Sequence, residues 1–218
     1  MSHAIGAVLT GDLVASRAAG AEAVAQSMAH LAQAADALSA RLGHDLHFTR
    51  FRGDGWQLLV RDPAQALGAT VWLLTCLRRD AAPVPTRIAV GIGTYEGDPA
   101  QDLGLASGTA FVAAGRALDA MSKLRRIVIA GDGVTPLHDA VFALAEHQIM
   151  GWTQPQAEAV ALMLDGSVAT QAAAAARLGI TRQAVQIRLA GAGYNAIADA
   201  IAGFTADIAA RTQTGVPR

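Results

Sequence analysis

Residues 169–191 read ATQAAAAARLGITRQAVQIRLAG, and no other stretch restricts the fold as strongly. The alanines favour helix and leave a small face on which a second helix can cross closely. Gly179 suits a left-handed turn, Ile180 plugs the core beneath it, and Thr181 caps a new helix by accepting an otherwise orphaned amide. Val185 and Leu189, four residues apart, share one buried face. Arg182, Gln183, Gln186 and Arg188 are left on the outer side. Two short helices joined by so tight a turn form a helix-turn-helix.

The rest of the chain divides around this unit. After Pro136 strand signals stop, and the spacing predicts helices over 137–150 and 156–164. Before it, apolar runs over 4–10, 46–52, 56–61, 87–94 and 126–130 read as strands. Helical spacing covers 21–42, 109–121 and a helix opened by Pro63 that runs to 77. Gly53-Asp54-Gly55 marks a hairpin turn. The expected fold is therefore α+β: a ferredoxin-like β-α-β-β-α-β sheet domain over 1–134, followed by an all-α helix-turn-helix domain over 137–211.

Composition removes several classes. Apolar residues make up 52% and charged residues 16%, which excludes a disordered chain. No apolar run is long enough to cross a membrane, and the start lacks a basic leader, so a cytoplasmic protein with no membrane partner is expected. Cys76 is the only cysteine, which excludes an internal disulfide; with the six histidines scattered and no paired cysteine, the pattern argues against a zinc site. Beside Leu74 and Leu77 it reads as a buried structural thiol.

The outward set of the second helix suits DNA, since glutamine pairs with adenine edges and arginine with guanine or phosphate. Thr181, Arg182, Gln183, Gln186 and Arg188 are the candidate contacts. The alternative is a helical hairpin used for packing or dimerisation. The net charge is −1, and five arginines face six acids beyond Pro136, so one copy binds weakly and a homodimer is expected. The stretch 152–189 also resembles the region-four helix-turn-helix of sigma factors and related regulators, most specifically in LGITRQAV.

Asp12 ends the first strand and Asp54 sits at the hairpin tip. Two hard oxygen donors at one strand end make a candidate Mg²⁺ or Mn²⁺ site; the alternative is two turn aspartates, each bonded to its own loop. Arg17, five residues beyond Asp12, would add positive charge beside a phosphate; the alternative is an ordinary surface cation. Gly91 and Gly93 permit close backbone approach, but no Gly-Lys-Ser/Thr follows, so no P-loop is present.

GDLVASR, FRGDGWQLL, RIAVGIGTYEG and SGTAFVAAGRALDAM occur in an order similar to the catalytic domain of class III nucleotide cyclases. With the C-terminal helix-turn-helix, the whole chain resembles the SatD family. The resemblance implies metal ligation by Asp12 and Asp54, ligand contact at Gly53 and Gly108, and Arg116 as the catalytic arginine if the chain is an enzyme. It also implies sites shared between subunits, and a nucleotide or phosphorylated small molecule as ligand. Two positions depart from the cyclase pattern. Its ribose-orienting Asn falls on Val112 and its base-selecting Lys on Phe48, neither of which hydrogen-bonds, which weighs against cyclisation. Three readings follow: a DNA-binding regulator with a degenerate cyclase-like sensing or dimerisation domain, a metal-dependent enzyme on nucleoside triphosphates, or a non-catalytic protein-interaction scaffold.

Overall fold

Alternation of side chains along the first strand sets the layers. The structure is a computed structural model that describes residues 4–51, 53–96 and 106–213. In β1 (Ala4–Leu13), Ala7, Leu9 and Leu13 enter the main core while Val8 enters a second, smaller cluster. Odd and even residues thus serve opposite faces, as a strand buried on both sides requires. A short α1 (Ser16–Ala19) and the long α2 (Ala21–Leu42) follow, and Gly43 ends α2 in the left-handed region.

The hairpin strands are β2 (Thr49–Phe51) and β3 (Gly55–Val60). The first is shorter than expected, and Arg52 lies outside the described residues. Residues 46–48 leave the strand because His47 takes φ +50° and donates its amide to Asp45 Oδ1 (2.8 Å), which interrupts the extended run. Asp62 then caps a single 3-10 turn at Pro63–Gln65, leading into α3 (Ala66–Arg79). The sheet is completed by β4 (Thr86–Tyr95) and β5 (Ile127–Gly131), with α4 (Thr109–Ala120) between them.

The five strands form one mixed sheet in the order β2-β3-β1-β4-β5. The pairs β2–β3, β3–β1 and β1–β4 are antiparallel, and β4–β5 is parallel. Met28, Leu31 and Leu38 of α2 share the main core with Leu9, Leu58 and Val90. On the other face, Ala110 and Ala114 of α4 meet Val8 and Leu59.

Five helices follow: α5 (Pro136–Met150), α6 (Gln154–Leu164), α7 (Gln171–Leu178), α8 (Arg182–Gly191) and α9 (Tyr194–Gln213). Thr135 and Thr153 open α5 and α6 with capping boxes. The change of architecture falls where the strand signals stop. The hydrophobic core does not divide there, because α6 packs on α3 and residues of both halves belong to one cluster. All twelve residues from Ala66 to Leu77 are buried, although helical spacing marks only Leu67, Val71, Leu74 and Leu77 as the inner face. A helix apolar on every side needs cover on every side, and the C-terminal helices supply it.

Polar groups fasten the same junction. Arg41 of α2 donates to Leu164 O at the end of α6 (2.7 Å) and lies over the Trp72 ring. Arg78 donates to Met150 O at the end of α5. The helix α9, which the sequence reading does not separate from its surroundings, returns to the sheet half: Thr205 Oγ1 donates to Ala64 O (3.0 Å). Phe204 packs edge-on against Phe142 and His138.

Candidate functional site

The α7–α8 pair is built by local rules. Thr170 Oγ1 accepts from Ala173 N (3.1 Å) and Thr181 Oγ1 from Ala184 N (3.1 Å), so each helix starts at a hydroxyl cap. Between them Gly179 takes φ +65° and Ile180 N donates back to Ala175 O (3.1 Å). Ala174 and Ala175 are buried beneath the crossing, and Val185 and Leu189 anchor α8. Trp152 and Gln148 both donate to Ala192 O at the end of α8, at 2.8 and 3.1 Å, fixing its direction.

The opposite side of α8 faces solvent. Thr181, Arg182, Gln183 and Gln186 are exposed. Arg182 and Gln186 line a cleft of about 480 Å³ with Thr170, Gln171 and Ala172 at the start of α7. Arg188 is different: Nη1 donates to Glu158 of α6 (2.9 Å), so its charge is spent inside the protein. Ile187, which sequence reasoning passed over, is 72% exposed on the outer face. The signal was present, since a residue midway between Val185 and Leu189 in a helix points away from them.

At the sheet, Asp12 lies directly opposite Arg87 in the β1–β4 ladder and opposite Gly55 in β3. Arg87 Nε donates to Asp12 Oδ1 (2.8 Å) and Nη2 donates to Oδ2, a two-point fork in which both side chains are only 26–30% exposed. The hydrogen bonds to Asp12 push the guanidinium further above its usual range, so it is charged at every physiological pH. Asp54, at the hairpin tip, accepts the Ser16 hydroxyl on Oδ2, and its carbonyl accepts Leu13 N (3.2 Å). The two aspartates are thus brought to one strand end, but neither is a turn residue bonded only within its own loop. Arg87 was not foreseen because only the ladder register joins it to Asp12, 75 residues away.

The remaining expected ligand residues are scattered. Arg17 is exposed on α1 and makes no ion pair among the described residues. Gly53 is exposed, with its carbonyl held by Arg50 at 2.8 and 3.0 Å. Gly108 and Arg116 line a different cavity, of about 490 Å³, with Thr94, Thr109 and Asp132. Thr94 lies opposite Ile5, seven residues along β1 from Asp12, or about 23 Å at the usual rise per residue. Arg116 lines that cavity, while Asp119, one turn further along α4, faces Arg87 at the aspartate end. Trp56 is fully buried core, its indole donating to Thr86 Oγ1 (2.9 Å).

Comparison with known proteins gives no match to a family model and no significant match to a curated protein. Among the described residues, no three histidine, cysteine, aspartate or glutamate side chains cluster to hold a metal, and no helix is long and apolar enough to cross a membrane.

Proposed function

We propose that this chain is a DNA-binding transcriptional regulator acting in the cytoplasm as a homodimer, its α7–α8 pair a helix-turn-helix and its sheet half a cyclase-like sensing or dimerisation domain. The observation that carries the reading is the solvent face of α8. Arg182, Gln183 and Gln186 stand free on a helix whose other side is anchored by Val185 and Leu189. That is the arrangement in which a helix offers side chains to base edges of the major groove. Ile187 adds an apolar group suited to a thymine methyl. The exposure of this face weighs against a scaffold in which α8 is covered.

Strand order supports the reading of the other half. The run β2-β3-β1-β4, antiparallel throughout, with two helices on one face, suits a ferredoxin-like sheet of the cyclase type with β5 added at its edge. Arg116 and Gly108 sit at a different cavity from the strand-end aspartates. Such a division suits ligand contacts shared between two subunits, with a nucleotide or phosphorylated small molecule as the ligand.

The test is binding of the purified chain to a randomised duplex pool at low salt, read by fluorescence anisotropy and followed by enrichment. Retention of a subset of sequences, weakened about tenfold by Arg182→Ala with unchanged circular dichroism, is the expected result. Absence of binding across the whole pool would refute the proposal.

A further inference from the structure

The strand-end aspartates are where a cyclase-like domain would take its divalent cation, and here both oxygens of Asp12 and one oxygen of Asp54 are already engaged. Asp12 and Arg87 are register partners on one face of the sheet, so their meeting follows from the backbone ladder and not from the wandering of long side chains. The fork uses both carboxylate oxygens. Thr86 Oγ1 donates to Asp12 O (2.8 Å) and in turn accepts from the buried Trp56 indole, which stiffens the strand end that carries the pair. Asp119 of α4 also faces Arg87 and favours its charge. Asp54 is turned to Ser16. A magnesium or manganese ion needs carboxylate lone pairs and repels a guanidinium beside it. The residues present do not fit such an ion.

We propose that Arg87 is the permanent counter-charge of Asp12, taking the place a divalent cation would need, so that the sheet half works without metal. The inference rests on carboxylate geometry alone and is independent of whether α8 reads DNA.

Urea unfolding of the full chain, as wild type, Asp12→Asn, Arg87→Met and the double variant, tests it. Each is measured in chelator and in about 10 mM Mg²⁺ or Mn²⁺, since a cation bound to the native state raises the midpoint. The expected result is that neither cation moves the wild-type midpoint in an Asp12-dependent way. In chelator, the double variant should also depart from the product of the single effects by about tenfold in the unfolding constant. A cation-induced rise in the wild type that vanishes in Asp12→Asn overturns the proposal, and so do additive single effects. Should Arg87→Met fail to fold, the comparison of wild type with Asp12→Asn under cation decides the matter by itself.

Discussion

The Glu146 carboxylate on α5 accepts the main-chain amide of Ile127 at the start of β5 (2.9 Å), joining the helical half to the open edge of the sheet. Asp139, two turns earlier, accepts from Ile129 N (3.4 Å), and Arg125 braces both carboxylates. An edge strand otherwise presents a row of unpaired amides, and here a helix covers them. Glu146→Ala should strand the Ile127 amide and part of Arg125, lowering stability by about 2 kcal/mol or more. Glu146→Gln keeps an acceptor and should cost about 1 kcal/mol. Urea midpoints compare the two, and equal losses would mean the amide contact does not matter.

Close approach of α4 to β4 depends on Gly91. A Cβ there would collide with Ala110 O and with the Ala114 amide, both main-chain atoms that cannot step aside. Gly91→Ala should therefore cost about 2 kcal/mol or more. At Gly115, inside the same helix, an added methyl would meet open space, and Gly115→Ala should stabilise by about 0.5–1 kcal/mol. Thermal melts of the pair should move in opposite directions.

DNA affinity should separate two arginines that lie on one helix. Arg182→Ala is expected to weaken binding about tenfold with stability unchanged. Arg188→Ala breaks the pair with Glu158 and should cost at most about 1 kcal/mol of stability, with a smaller effect on affinity. Only Arg177 and Arg182 of the described arginines in this half are unpaired, so log K should fall with log salt at a slope of about −2 per chain. A slope near twice that value indicates a dimer on DNA.

Burial pushes the Cys76 thiol up to about 12 from an ordinary 9.0. The native protein keeps the proton while the unfolded chain loses it first. The stability from this group is therefore complete below pH 9 and is lost as pH climbs towards about 12. At neutral pH the native thiol should resist a disulfide-exchange reagent and react only on unfolding. Fast reaction in the native state would show that α3 is not enclosed.

Much of this architecture was legible along the chain. The α2 bounds, the Gly179 turn, the Thr181 cap and the burial of Val185 and Leu189 all follow from spacing and capping chemistry, which act over a few residues. Even the overlooked α9 carries a local signal, with Ile197, Phe204 and Ile208 buried along one side. The apolar run of α3 likewise announces a helix enclosed on all sides. It does not say what encloses it.

Local spacing determined which segments are helix or strand, which faces are apolar, and that Arg182, Gln183 and Gln186 point away from the core, because those properties depend on neighbours within a turn or two. Tertiary structure alone decided that Asp12 meets Arg87, that Arg188 meets Glu158 and that Glu146 seals β5. Each of those contacts depends on strand register or helix docking between residues far apart in sequence, and a carboxylate's chemistry is set by the cation that packing delivers to it.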